Sequence, residues 1–449
     1  MLKNDHLETL QANELYLLDA EAPGMHLLYA PLADSILPVS DEDAVKLAEA
    51  MEYPQKADSE VLEIADALRD VEPVSAREGH VRGAGDFINL SILPNNVCNF
   101  SCSYCYSAKG RSSRRLSLGA AKRMVDYFLD RNRNASDFLT VSIFGGGEPL
   151  LSWKDLVKPV IEYLYQSAGE GRRVVTTLIT NGSIVTDDFI DICRKHNIDL
   201  VCSYEILRDV QDSQRRHYDL VRGNIGKLIQ NGVVPAINSV ITDLNVERQV
   251  EMIEALKADF PEIRYVSFEP VISEEQENRD DFYRRFTQGF LKALSKAEEN
   301  GIILSCSALR NVDVTVDRYC PGELALCADG SLSVCPCVSS PEEPGFDRYI
   351  YGKAEENGVF IDEEKLSSLL KMNVYSQPWC SRCFAKWNCG GGCINSTLKN
   401  GGQQIPSYCR FVRRFLKYTL TRRLDQAWQE ENGVSIKKMI GDYERFVTE

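Results

Sequence analysis

Phe87-Ile88-Asn89-Leu90-Ser91-Ile92-Leu93-Pro94-Asn95-Asn96-Val97-Cys98-Asn99-Phe100-Ser101-Cys102-Ser103-Tyr104-Cys105 is the stretch on which the fold turns. An apolar strand runs into a Pro-Asn-Asn turn and then into three closely spaced thiols, and loops at the carboxyl ends of parallel strands are where such folds bind ligands. Three thiolates satisfy three irons of a cubane cluster and leave the fourth iron open, whereas a closed structural zinc site wants four ligands. From these residues alone a zinc knuckle stays open as the alternative.

The same rhythm continues downstream. Apolar runs at 87–93, 139–144, 174–180, 198–204, 234–241 and 265–270 alternate with helical periodicity over 117–131, 152–166, 186–195, 219–231 and 245–258. That alternation predicts a parallel sheet, and six strand–helix units suit a partial barrel better than a closed eightfold one. Upstream, 14–18 and 26–30 read as short strands and 41–51 and 59–68 as amphipathic helices, a small α+β module over 1–85. Residues 72–85, with Pro73, Gly79, Gly83 and Gly85, read as a linker. After about Ile302 the periodicity fades while cysteine and glycine crowd together, which predicts a segment organised by bound metal instead of a large apolar core. A charged amphipathic helix over 410–431 closes the chain.

Composition narrows the function. The net charge of −15 disfavours a grip on nucleic-acid phosphates. No apolar run is long enough for a membrane span and no secretion signal opens the chain, so the expected location is the cytoplasm. Fifteen cysteines, an odd number, point to thiolate ligands and away from a disulfide framework. The five histidines, at 6, 26, 80, 196 and 217, are scattered and support no triad.

Cys98-x3-Cys102-x2-Cys105, with Tyr104 before the last thiol, resembles the signature of the radical SAM superfamily. The resemblance implies that the three cysteines hold a [4Fe–4S] cluster whose open iron binds S-adenosylmethionine. An electron from the cluster then breaks a carbon–sulfur bond, and the 5′-deoxyadenosyl radical removes a substrate hydrogen. Gly145-Gly146-Gly147-Glu148-Pro149, ending the next strand, is similar to the family's Gly-Gly-Glu-Pro, so Gly146, Gly147 and Glu148 are expected at the methionyl ammonium. Ser203 and Arg215 match the Ser and Arg of a Ser-x-Asp-Gly…Arg pattern and, with Tyr104, are the remaining expected cofactor contacts. This chain reads Ser203-Tyr204-Glu205-Ile206, so the Asp-Gly turn is not expected.

Cys320-x9-Gly330-x4-Cys335, then Cys380-x2-Cys383-x5-Cys389-x3-Cys393 and Cys409, resemble the SPASM domain, an auxiliary-cluster extension of peptide-modifying radical SAM enzymes. The implied ligands interleave. One cluster takes Cys380, Cys383, Cys389 and Cys409; the other takes Cys320, Cys335, Cys393 and Cys327, with Cys337 an alternative to Cys335. Three [4Fe–4S] clusters and S-adenosylmethionine are therefore the implied cofactors.

The expected fold is α/β, a partial (β/α)6 TIM-like barrel over 86–305. A winged-helix-like module over 1–85, a metal-stabilised SPASM domain over 306–410 and a helical segment over 411–449 flank it. The implied activity is that of a maturase of ribosomally made peptides (RiPPs), an oxidoreductase closing a thioether or carbon–carbon cross-link as sactisynthase-like enzymes do. Its partners would be a precursor peptide, whose leader adds to the edge of the first module as a strand, and an electron donor such as flavodoxin or ferredoxin. The alternatives are an anaerobic sulfatase-type, formylglycine-forming maturase and a non-catalytic iron–sulfur carrier or scaffold. Against the sulfatase type, Pro336 stands where those enzymes place a carboxylate base. The identity of the catalytic base is not legible here.

Overall fold

A computed structural model describes residues 14–19, 25–53, 81–169, 171–271, 279–312, 314–399 and 401–436. The helix expected over 59–68 and most of the linker expected over 72–85 lie outside the described residues.

Three antiparallel strands open the chain, β1 (Tyr16–Asp19), β2 (Met25–Ala30) and β3 (Ser35–Ser40). The helix Asp41–Glu52 follows, its first amide turn capped by Ser40, whose hydroxyl accepts the Asp43 N–H at 3.1 Å. Asp41, Glu42 and Asp43 in that turn oppose the positive end of the helix dipole. Leu28, Val39, Ala44, Leu47 and Ala50 fill the small core between sheet and helix.

Among the described residues the second sheet has eleven strands. Strands β4 (Asn89–Ile92), β5 (Phe138–Ile143), β6 (Arg173–Thr180), β7 (Asp199–Ser203), β8 (Ala236–Ile241) and β9 (Tyr265–Pro270) pair in sequence order, all parallel, as a partial barrel with helices between them. A short seventh strand, β10 (Ile303–Ser305), extends this edge. The helix Leu118–Leu129 is representative: Ser117 caps it, and Ala121, Met124, Val125 and Phe128 at helical spacing form its fully buried face.

The segment after Ile302 departs from expectation. Strand β11 (Leu324–Leu326) pairs in parallel with β4, and β12 (Ser331–Ser333), β13 (Ile350–Glu355) and β14 (Gly358–Ile361) continue the same sheet as an antiparallel ladder. Leu324, Leu326, Leu332 and Tyr351 are at most 1% exposed and belong to the main core. The cysteine-rich segment therefore has an apolar core, borrowed from the barrel. The strands are only three to six residues long, too short for periodicity to declare them.

The helix Pro406–Asn432 closes the structure by laying Tyr408, Phe411 and Phe415 against Tyr283, Phe286 and Phe290 of the helix Asp280–Glu299, with Phe411 stacked on Tyr283 at 4.7 Å between centroids. No described helix is long and apolar enough to cross a membrane. Because Phe411 is 1% exposed and meets rings on three sides, Phe411→Ala should cost about 3–5 kcal/mol, read as a lowered urea midpoint.

Candidate active site

The three thiols of the first motif stand on a loop clamped from two sides. On one side, the Gly147 N–H donates to Asn95 O and the Glu148 N–H to Val97 O, both at 2.8 Å. Asn95, fully buried, completes the clamp: its Nδ2 donates to Glu148 O at 3.0 Å and Ser152 Oγ at 2.9 Å, and its Oδ1 accepts the Val97 N–H at 3.0 Å. A methyl group on Gly147 would lie 1.8 Å from Val97 O, and one on Gly146 2.6 Å from Asn95 O. The glycines thus let two loops close on each other, a role the sequence had reserved for ligand approach.

On the other side, the Ser103 N–H donates to Gln214 O at 2.9 Å, and the Phe100 ring meets His217 in a tilted contact at 4.9 Å between centroids. Asn181, after strand β6, donates from Nδ2 to Asn99 Oδ1 at 2.9 Å and approaches Cys98 Sγ at 3.9 Å. The Phe100 N–H reaches the same sulfur at 3.4 Å, and Arg111 Nη2 reaches Cys105 Sγ at 3.2 Å. These donors suit thiolates; burial pushes the Cys102 thiol up, with Cys105 and Glu205 adding to it and Arg215 opposing it.

Glu148 is 2% exposed, and burial pushes its carboxyl above the usual range against three donors: Leu150 N–H at 3.1 Å, Thr180 Oγ1 at 2.7 Å and Asn181 N–H at 2.7 Å. A carboxylate has about four lone-pair positions, so roughly one is left for a cationic ligand.

Glu205, fully buried, is the residue that motif reading missed. Tyr104 Oη donates to its Oε1, Ser239 Oγ and the Val240 N–H donate to its Oε2 at 2.7 and 3.0 Å, and Arg215 stands 3.9 Å away. Arg215 Nη1 also donates to Tyr104 Oη at 2.9 Å. Burial raises the Glu205 carboxyl while Arg215 and Tyr104 pull it down. Glu205 occupies the Asp position of Ser-x-Asp-Gly, and Ile206 takes a left-handed φ of 67°, as the glycine would. The turn that the substitutions seemed to abolish is therefore kept. Left-handed backbone costs roughly 1–2 kcal/mol at a non-glycine, less than the about 2–5 kcal/mol that emptying this buried position would cost. Ser203 closes β7 and is partly exposed.

In the C-terminal field one cavity is lined by Cys380, Cys383, Cys389 and Cys409, with Cys393 also on its wall. The first four act on one another electrostatically; burial drives Cys380 up to about 11 and Cys389 to about 12. Gly390, Gly391 and Gly392 all have left-handed backbone, and the Gly390 carbonyl accepts the Tyr319 N–H at 2.8 Å, which holds the Cys320 segment against the Cys393 turn. Cys335 and Cys337 lie in one turn, closed by the Val338 N–H on Cys335 O at 3.1 Å. Cys327 is placed elsewhere: fully buried in the main core, its Sγ 3.7 Å from Ala325 O, with Asp329 and Glu343 the foremost charges near it.

Several thiols on one cavity wall are the donor type that an iron–sulfur cluster takes. Among the described residues, no group of three or more His, Cys, Asp or Glu side chains is placed to hold a single metal ion. Arg318, 9% exposed and beside Cys320, has Nε and Nη2 without a hydrogen-bond partner, a buried cation suited to an anionic cluster. Arg215 Nε, likewise buried and unpartnered, suits the carboxylate or ribose of a nucleoside-bearing cofactor.

Residues 92–286 match the family model described as the radical SAM superfamily. That stretch is a radical SAM domain, and the protein is an enzyme; the superfamily it matches binds a [4Fe–4S] cluster and S-adenosylmethionine. A cysteine-type anaerobic sulfatase-maturating enzyme of Clostridium novyi is 19% identical over 376 residues, 75% of this chain and 96% of the relative. Among solved structures, anSMEcpe with bound AdoMet superposes with a TM-score of 0.58 at 15% identity, covering 76% of this chain and 99% of its own. Streptococcus suis SuiB bound to its precursor peptide SuiA gives 0.52 at 15% identity, covering 86% and 96%.

Gly147→Ala, which drives a methyl into Val97 O, should remove about four irons per chain and with them 5′-deoxyadenosine formation, measured by iron assay and chromatography. Gly223→Ala, on a helix with nothing within 4 Å of the new methyl, should change neither.

Proposed function

We propose that this enzyme is a peptide maturase that cleaves S-adenosylmethionine reductively, takes a hydrogen from a ribosomally made precursor peptide and closes an intramolecular thioether or carbon–carbon cross-link. The observation that carries this reading is the seat of the N-terminal sheet. Lys386 and Trp387 Nε1 donate to the Glu14 carboxylate at 2.8 and 2.6 Å, and Tyr29 Oη donates to Asn388 Oδ1 at 2.8 Å. Leu32 packs with Val374, Cys380 and Trp387. A peptide strand added to this sheet would be held at a fixed distance from the cysteine field. SuiB, solved with its precursor peptide, matches more of the chain than anSMEcpe does, and Pro336 follows Cys335 where a sulfatase-type base is expected.

In this reading Cys98, Cys102 and Cys105 hold the cofactor-cleaving cluster. Tyr104, Gly146, Gly147, Glu148, Ser203 and Arg215 orient S-adenosylmethionine. Cys380, Cys383, Cys389 and Cys409 hold one auxiliary cluster, and the set around Cys320, Cys335 and Cys393 holds the other. When bound, the clusters and S-adenosylmethionine supply one-electron cleavage and hydrogen-atom abstraction. Cross-linking would remove two hydrogens from the peptide, one as an atom ending in 5′-deoxyadenosine and the other as a proton, with the remaining electron left for an auxiliary cluster held by the C-terminal thiols to accept. A flavodoxin or ferredoxin would deliver the first electron, in the cytoplasm.

The sulfatase-type reading is favoured by the match over nearly the full length of the Clostridium novyi relative. Co-expression with a precursor peptide separates the two: a loss of two hydrogens by mass spectrometry supports cross-linking, and conversion of a sulfatase-peptide cysteine to formylglycine overturns it. The triple Cys98→Ala, Cys102→Ala, Cys105→Ala variant should lose 5′-deoxyadenosine formation and keep about eight of about twelve irons. Glu14→Ala should impair modification of the full precursor while uncoupled cofactor cleavage continues.

A further inference from the structure

The set Cys320, Cys335 and Cys393 needs a fourth donor if its cluster is to be closed, and the described thiols leave few choices. Cys193, Cys202 and Cys306 are buried in the barrel at 3%, 0% and 4% exposure. Cys327 is fixed by the β11–β12 hairpin: its N–H donates to Ser331 O and its carbonyl accepts the Gly330 N–H, both at 2.9 Å. The pairs Ala325–Ser333 and Leu326–Leu332 hold that register, so turning this thiol toward the field would break the ladder and empty a core position.

Cys337 is differently placed. The turn closed by the Val338 N–H on Cys335 O, at 3.1 Å, folds its backbone back beside Cys335. The Val334 N–H donates to Tyr349 O at 3.0 Å, and Tyr349 Oη donates to Asn395 Oδ1 at 3.1 Å, two residues beyond Cys393, so Tyr349 links the strand leading into the Cys335 turn to the segment after Cys393. Unlike Cys327 and the three barrel thiols, Cys337 is only partly buried.

We propose that Cys337 is the fourth thiolate of the cluster held by Cys320, Cys335 and Cys393, and that Cys327 is an apolar core residue. With four protein thiolates every iron of that cluster would be held by the chain, and the cluster would be closed to a substrate thiol. The inference rests on the cluster reading of the field given above.

The test uses the Cys98→Ala, Cys102→Ala, Cys105→Ala background, in which only the C-terminal irons are counted. Added Cys337→Ala should lower the iron content from about eight to about seven per chain and give a three-iron cluster signal in electron paramagnetic resonance after mild oxidation. Added Cys327→Ala should do neither. Cys337→Ser keeps the size and an oxygen donor; it should shift the Mössbauer spectrum of one auxiliary cluster even where the alanine variant is insoluble. A three-iron signal from Cys327→Ala, or an unchanged spectrum in Cys337→Ser, overturns the assignment. Fewer than about eight irons in the background itself overturns the two-cluster reading first, and this inference with it.

Discussion

Everything at the candidate site depends on the contact between the peptide edge of Val97 and Gly147, where no side chain has room. Two loops from adjacent parallel strands close there through paired N–H to carbonyl bonds, with the Asn95 side chain lying across both. The contact fixes where the first cysteine loop sits relative to Glu148, and Glu148 in turn ties the ends of β5 and β6 together through Thr180 and Asn181. A buried carboxylate surrounded by neutral donors is costly unless every oxygen is served, so the polar groups here are held by mutual need.

The second buried carboxylate, Glu205, works by the same logic on the opposite side of the loop. It gathers Tyr104, Ser239 and a backbone amide, and Arg215 supplies the compensating charge. The cysteine loop is therefore suspended between two desolvated acids, each held by several donors. That arrangement fixes the loop and its three thiols in place.

Much of this was legible in the sequence and some was not, for physical reasons. Six apolar runs in parallel order give six strands because alternate residues of each are buried while the segments between them keep helical periodicity. Ser35–Ser40 escaped notice because Pro38 and an exposed Leu37 interrupt its pattern. The strands after Leu324 are too short to carry a period. Thiol spacing marked out a cysteine-rich field, but the hairpin register that buries Cys327 in the core is not encoded in spacing. Glu205 was hidden by comparing letters instead of chemistry: one extra methylene still delivers a carboxylate to Tyr104. Asn95 read as a turn former, since its four-way role exists only once two distant loops meet.

The pairing of β4 with β11 has a consequence for how the chain comes into being. Leu90 meets Leu324 and Ile92 meets Leu326, so one edge of the first barrel strand has no partner until the ribosome has made nearly the whole barrel and the segment beyond it. Until then that edge is an open template for wrong strands, at the base of a loop bearing three loose thiols. Pairing between residues so far apart in sequence is slow to form. Productive biogenesis thus favours an iron supply that acts after the barrel edge has closed, and a nascent chain stalled before Leu324 would be the species most prone to aggregate and to oxidise.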